Sequence, residues 1–277
     1  MENIVEHPLK KYFREEINYT TCSGCGNGII SQSILRAIDQ LNISFDQFAF
    51  VSGIGCSGWI PSPYFNTDIL HVTHGRSVAF ATGLKLAAPQ LKVIICAGDG
   101  DTSAIGGNHF IHAARRNIDL TVICVNNLIY GMTGGQVAPT TPYFSKTITT
   151  PYGSIERPFD LSNLAIAAGA TFVARWTTYQ ARLLTNSIKK AIIHKGFSFV
   201  EIISQCPVQY GKVVGMSNDP VGMLMHYKEC SVNIKKAKNM SEDELKGKII
   251  VGELMEKENV PELTDEIKRL RMEAKRK

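Results

Sequence analysis

The stretch Val93-Ile94-Ile95-Cys96-Ala97-Gly98-Asp99-Gly100 is followed, 25 residues on, by Asn126-Asn127. The asparagines close a second apolar run, Leu120-Thr121-Val122-Ile123-Cys124-Val125. Short β-branched, apolar runs bounded by glycine predict buried parallel strands. Between them, Gly107 to Arg116 carries the pattern of a crossover helix. One βαβ unit results. It sets Asp99 and Asn127 at the carboxyl ends of two neighbouring strands, where open α/β sheets bind ligands.

The residue types at those ends suit a hard cation. Asp99 offers a carboxylate and Asn127 an amide oxygen, the ligand chemistry that Mg²⁺ and Ca²⁺ prefer. Gly98 and Gly100 allow backbone to approach a phosphate. One Asp, one Asn and a backbone carbonyl leave positions on the ion open for a diphosphate. The pattern resembles the thiamine diphosphate motif, Gly-Asp-Gly and then Asn-Asn. A glycine-rich turn with a capping Asp is the bland alternative. The paired strands, the spacing and the terminal Asn pair favour the cofactor site over it.

Upstream, Phe48-Ala49-Phe50-Val51 is a strand running into Ser52-Gly53-Ile54-Gly55-Cys56-Ser57-Gly58-Trp59. His74 and Arg76 precede a helix over residues 77–88, a natural anion position. Residues 28–41 form a helix with Ile30, Ile34, Leu35 and Ile38 on one face. Downstream, residues 137–158 contain Pro139, Pro142, Pro151 and Pro158 and have no periodicity. A loop of that length beside Asn127 is expected to wall the site, to contact another subunit, or both. Asp160 caps a helix over residues 161–168, which Gly169 ends. Residues 171–175 and 197–203 are strands flanking a helix over residues 179–194. The expected fold is therefore α/β, a mostly parallel doubly wound sheet. Residues 1–210 form the cofactor-binding domain, and residues 211–277, richer in Lys and Glu, form a small C-terminal extension. Its end, residues 262–277, is expected to be a helix with an exposed or partner-contacting face.

Composition excludes several classes. The 277 residues are 44% hydrophobic and 20% charged, with a net charge of +5. No basic stripe interleaved with aromatics points to nucleic acid. No apolar run approaches a membrane span, and residues 1–13 have no signal-peptide core. A cytoplasmic enzyme is expected. Its seven cysteines, an odd number, suggest metal or redox use and not a disulfide framework. Cys22 and Cys25 sit in a Gly-rich turn; as a Cys-x-x-Cys they fit half a zinc site, a redox dithiol or a cluster pair equally. Cys56 and Cys206 each follow a strand at the same sheet edge. Four thiolates from three loops suit either zinc or a [4Fe–4S] cluster. Cys96 and Cys124 belong to the core, and Cys230 has no assigned role.

Taken together, Cys22-Ser-Gly-Cys25-Gly26, Ser52-Gly-Ile-Gly-Cys56-Ser57-Gly58, Thr73-His74-Gly75-Arg76, Gly98-Asp99-Gly100-Asp101, Ile105-Gly-Gly-Asn-His-Phe, Ala114-Arg-Arg-Asn-Ile-Asp119 and Asn126-Asn127 with Tyr130-Gly-Met-Thr resemble the β subunits of the 2-oxoacid:ferredoxin oxidoreductases. The 2-oxoglutarate branch is the most similar. The resemblance covers most of residues 20–210. It implies that Cys22, Cys25, Cys56 and Cys206 hold a [4Fe–4S] cluster. It implies Mg²⁺ on Asp99, Asn127 and the carbonyl of Ile129. It puts Ile54, Gly55, Cys56, Ser57, His74, Gly100, Asp101, Gly131 and Met132 around thiamine diphosphate, with His74 and Asp101 nearest the chemistry. Some members carry a basic residue after Gly-Cys-Ser-Gly; here Trp59 stands there, with a stacking face and one N–H donor.

The implied activity is oxidative decarboxylation of a 2-oxoacid, 2-oxoglutarate first, with CoA as acyl acceptor and ferredoxin as electron acceptor. Pyruvate or branched-chain and aryl 2-oxoacids are alternative substrates, and a non-redox thiamine diphosphate decarboxylase subunit is the alternative activity. A zinc-stapled scaffold is the non-catalytic alternative. The glutamate that activates thiamine in this superfamily has no counterpart here. An α subunit is expected to supply it, in a complex that can include γ and δ subunits.

Overall fold

The computed structural model describes residues 7–15 and 17–276. Residues 1–6 of the N-terminal stretch and Lys277 of the basic tail lie outside them. In chain order the elements are α1 (Asn27–Leu41), β1 (Phe48–Ser52), β2 (Asp68–His71), α2 (Ser77–Ala87), β3 (Lys92–Gly98), α3 (Gly107–Arg115), β4 (Leu120–Asn126), α4 (Leu161–Ala168), β5 (Phe172–Thr177), α5 (Ala181–Ile193) and β6 (Phe197–Ile203). The C-terminal part adds α6 (Tyr210–Val213), α7 (Pro220–Cys230), β7 (Ser231–Asn233), α8 (Ile234–Ala237), α9 (Glu242–Leu245), β8 (Ile249–Glu256) and α10 (Leu263–Ala274).

The strands form one eight-stranded sheet in the order β2-β1-β3-β4-β6-β5-β8-β7. Strands β1 to β6 are mutually parallel, and β8 runs antiparallel to β5. Alternation along the strands builds two cores. Ile94 and Cys96 face one side with Ile123, Val125, Val200 and Ile202, under α1 and α5. Val93, Ile95 and Ala97 face the other with Val122, Cys124 and Phe199, under α2, α3 and α4. Helices on both faces explain why the central strands read as continuous apolar runs. Ile30, Ile34, Leu35 and Ile38, spaced as one helical face, are fully buried. Asp160 caps α4 through a hydrogen bond from Asn163 N–H, and Gly169 ends it at φ 104°.

Three strands have no counterpart in the sequence reading. Strand β2 is a short edge strand with mostly exposed residues, so it has no apolar run to reveal it. Strands β7 and β8 come from the C-terminal extension. Residues 231–256 thus complete the sheet and do not stand beside it. The extension is then tied back to the entry of β4. Asn117 Nδ2 donates to the Pro261 carbonyl at 3.0 Å, and Asp119 N–H donates to Glu262 Oε1 at 3.0 Å. Glu262 also caps α10.

Candidate functional site

Strands β3 and β4 are paired in parallel with Gly98 opposite Val125. Asp99 and Asn127 therefore leave the sheet side by side, at its carboxyl edge. Asp99 is buried, its carbonyl accepts from Ser103 Oγ at 2.7 Å, and Thr140 Oγ1 donates to its carboxylate. Burial pushes the Asp99 carboxyl up to about 6, against the hydrogen bonds from Thr140 and the backbone that hold it down. After Asp99 the chain makes a single π-type turn, Asp101–Ile105, before α3. That turn directs Asp101 toward the loop after β2. Asp101 Oδ1 accepts from Gly75 N–H at 2.7 Å and lies 2.6 Å from His74 Nδ1, although off the line of a hydrogen bond. Gly53 is required beneath it, because a Cβ there would lie 1.9 Å from Asp101 Oδ2.

The two asparagines diverge. Asn126 turns inward and is buried. Asn127 stays at the edge, and its Oδ1 accepts from Ile129 N–H at 3.2 Å. Ile54 to Ser57, His74, Gly98 to Asp101, Asn127 and Ile129 to Thr133 line one cavity. Every residue expected around the diphosphate and its cation is in that lining. Arg76 is not; its guanidinium donates to the carbonyls of Gly75 and Ile105 at 3.3 Å and latches the π-type turn.

Cys22, Cys25, Cys56 and Cys206 line a second cavity of ≈ 420 Å³, with Thr20, Asn27, Trp59 and Gln209. Among the described residues no three His, Cys, Asp or Glu side chains gather closely enough to hold a single metal ion. The four thiols instead surround a larger space. A tetrahedral zinc with bonds of about 2.3 Å would draw them to one point. Burial pushes the Cys25 thiol up to about 11, and its three neighbouring cysteines add to the rise. Cys56 moves the same way, through burial first and then its neighbours Cys206 and Cys22. These thiols stay protonated until a cationic centre offsets that cost, as metal binding with proton release requires. The donor chemistry of both cavities thus fits the implied groups: oxygens on a buried carboxylate and an amide for Mg²⁺, and four sulfurs round a space for a cluster. Cys96 and Cys124 are fully buried in the two cores, as expected. Cys230 is buried beside Ile203 and Tyr227.

Several residues escaped the sequence reading. Thr140 reaches Asp99 from the Pro-rich loop, and nothing in its local sequence marks it. Tyr130, read in the sequence only as part of the motif after Asn127, closes over Gly100, where a Cβ would lie 2.2 Å from its ring. Asn27 Nδ2 donates to the Cys56 carbonyl at 2.8 Å and ties two cysteine loops together. The long loop lines neither cavity and reaches the site only through Thr140, which holds Asp99. Val137 is half-buried, while Tyr143, Phe144, Ile148, Tyr152 and Ile155 are exposed.

Such a sheet edge defines a thiamine diphosphate-binding domain. The model of the family "Thiamine pyrophosphate enzyme, C-terminal TPP binding domain" matches residues 53–202. The chain is 56% identical over 265 residues to the 2-oxoglutarate synthase subunit KorB of Methanocaldococcus jannaschii, covering 95% of this chain and 97% of that one. It is 49% identical to the KorB subunit of Archaeoglobus fulgidus, covering 94% and 93%. A 2-oxoglutarate:ferredoxin oxidoreductase from Magnetococcus marinus, solved with 2-oxoglutarate, coenzyme A and succinyl-CoA bound, superposes with a TM-score of 0.86 at 32% identity, over 99% of this chain and 92% of that one. The chain belongs to the 2-oxoacid:ferredoxin oxidoreductase β-subunit family, within its 2-oxoglutarate synthase KorB branch. Subunit names in that family imply partner chains. Among the described residues no helix is long and apolar enough to cross a membrane.

Proposed function

We propose that this chain is the half of a 2-oxoglutarate:ferredoxin oxidoreductase that holds the cofactor diphosphate and the first electron acceptor. The overall reaction is 2-oxoglutarate plus CoA and two oxidised ferredoxins to succinyl-CoA, CO₂, two reduced ferredoxins and a proton. When bound, thiamine diphosphate supplies the nucleophile and electron sink for decarboxylation, and an iron–sulfur cluster supplies one-electron transfer.

The observation that carries this reading is that the two cavities share Cys56, Asn127, Gly131 and Met132. A diphosphate site and a four-cysteine site with a common wall suit electron transfer; a structural zinc would gain nothing from that adjacency. In this reading Asp99, Asn127 and the Ile129 carbonyl hold Mg²⁺. The backbone of residues 54–57 and Gly100 receives the diphosphate. Asp101 fixes the Gly75 backbone beside His74 and lies against its Nδ1, which leaves the other ring nitrogen for a ligand. Cys22, Cys25, Cys56 and Cys206 hold a [4Fe–4S] cluster, and Asn27 fixes the spacing of two of them.

Thiamine activation needs a carboxylate from an α subunit. The exposed apolar loop residues from Tyr143 to Ile155 suit that seam, since aromatic clusters are enriched at interface cores. The C-terminal helix α10 is a second partner-contacting face, and further subunits and ferredoxin complete the assembly in the cytoplasm. Trp59 lines the cysteine cavity without a charge, so the second carboxylate of 2-oxoglutarate would be met by a group other than residue 59. The test is anaerobic co-purification with the α subunit, followed by iron and sulfide analysis, visible absorption and a substrate panel. We expect Fe–S charge-transfer absorption and 2-oxoglutarate-dependent carrier reduction that requires CoA. Zinc in place of iron, or decarboxylation without carrier reduction, would sink the reading. Preference for pyruvate or branched-chain 2-oxoacids would keep the site and overturn the substrate.

A further inference from the structure

One buried carboxylate has no part in that scheme. Glu201 lies within β6 and is 2% exposed. Asn126 Nδ2 donates to its Oε1 at 2.8 Å; Ser162 Oγ and Arg175 Nε donate to its Oε2 at 2.6 and 2.8 Å. Arg175 also pairs with Asp160, the cap of α4. A carboxylate inside a parallel sheet costs several kcal/mol unless it is paired this fully. Packing alone would be served by an apolar residue.

What the network holds is a turn. Asn126 Oδ1 accepts from Leu128 N–H at 3.2 Å. Leu128 adopts φ 64°, a left-handed conformation that a leucine rarely takes. Its carbonyl accepts from Thr141 Oγ1 at 2.7 Å, which clamps the other side. This reversal separates Asn127 from Ile129 and turns both toward the cavity that Asp99 lines. Strained backbone at a site persists only where its surroundings over-determine it.

We propose that Glu201 is a positioning residue for the cation site: through Asn126 it holds Leu128 in the left-handed turn and so aims Asn127 and the Ile129 carbonyl at the ion. The inference rests on the reading that Asp99, Asn127 and Ile129 hold Mg²⁺. Glu201 touches no ligand. Its charge is met by Arg175, so its contribution is orientation and not field strength. Partners one step beyond the ligands set metal affinity in this way.

The test uses the assembled enzyme. Asn126→Ala removes the link but leaves the Glu201–Arg175 pair intact. Glu201→Leu with Arg175→Met removes the charge pair together, so no buried charge is stranded. Mg²⁺ is titrated in the presence of thiamine diphosphate, reading cofactor binding by calorimetry, with iron content and thermal midpoint measured on the same samples. The Mg²⁺ needed for half-saturation is expected to rise about 10–100-fold in both variants. Excess Mg²⁺ should restore binding, with iron content and midpoint retained. An unchanged Mg²⁺ requirement in either folded variant overturns the proposal. A fallen midpoint with binding that excess Mg²⁺ does not restore assigns the network to packing and overturns it too. If the unaltered enzyme binds thiamine diphosphate with no Mg²⁺ dependence, the cation reading itself fails, which separates that failure from this one.

Discussion

His74 and Asp101 come from different strand-end loops and meet at 2.6 Å, on an oxygen that also accepts from Gly75 N–H. The contact joins the loop after β2 to the π-type turn after β3, across β1. Neither loop could take its place without the sheet order that brings them together.

Replacing Asp101 by Asn keeps the shape and removes the charge that orients His74. It also weakens the charge-assisted hydrogen bond that Gly75 N–H donates to Asp101, a loss of about 1.5–3 kcal/mol, or roughly 10–100-fold in kcat/KM if the loop no longer presents His74. The iron content should not change. Steady-state carrier reduction and iron analysis check both halves, and full activity in Asp101→Asn would remove the pair from the working site.

Asp99 gives a prediction with opposite signs in two conditions. Its carboxyl is raised to about 6 by burial. In metal-free protein this group's contribution is present below the ordinary carboxylate range and is lost as pH rises through about 6. Asp99→Asn should therefore stabilise the metal-free protein at neutral pH, by up to about 3 kcal/mol, and abolish Mg²⁺-dependent cofactor binding. In the unaltered enzyme that binding should weaken as pH falls below about 6, because the proton competes with the cation. Denaturant unfolding with and without chelator, at about pH 4.5 and pH 7, reads both signs.

The cysteines divide into two groups. Alanine at Cys22, Cys25, Cys56 or Cys206 should each reduce iron content and stop carrier reduction. Alanine at Cys96 or Cys124, buried in opposite cores, should leave iron intact and cost about 1 kcal/mol of stability. Loss of iron on changing Cys230 but not Cys206 would reassign the fourth ligand.

Tyr152 is 97% exposed and Phe144 68%. Converting both to Asp should leave the folding of this chain within about 0.5 kcal/mol, as surface changes do. It should prevent assembly with the α subunit, seen as a shift to a smaller species on size-exclusion chromatography. Undisturbed assembly would move the seam elsewhere.

A chain ended at residue 210 would lose β7 and β8 and open the β5 edge, where β8 pairs along residues 172–175. It would also strip Val251 and Leu254 from the two cores. Aggregation of that fragment is expected, by the exposed-edge argument. A soluble, cooperatively folding fragment would show that the extension is dispensable.

Most of the parallel sheet was legible because its strands are buried on both faces and read as apolar runs between glycines. The same is true of α1 and α4, whose spacing and caps are local signals. Strand β2 was not legible, since an edge strand with exposed residues needs no apolar pattern. Strand β8 was not either: Ile249 to Val251 look like strand, but Gly252 and the acidic residues around it make sense only once β5 supplies a neighbour.

The site divides in the same way. Asp99, Asn127, His74 and the Cys-x-x-Cys were readable because their chemistry is written in short motifs at strand ends, where strand order alone determines which loops share an edge. Thr140 and Glu201 were not, because their roles arise from contacts across 41 and 75 positions of chain. Tyr130 was readable in its motif after Asn127, but its packing over Gly100, on another strand end, was not. The order of residues was enough to specify a βαβ sheet edge bearing a carboxylate, an amide and four thiols. It took the folded chain to bring the oxygen and sulfur groups into adjoining cavities, and to brace the turn between them with a buried Glu–Arg pair. The physical reason is range: propensity and burial pattern act within one element, whereas hydrogen-bond partners of buried polar groups are found wherever the packed chain brings them.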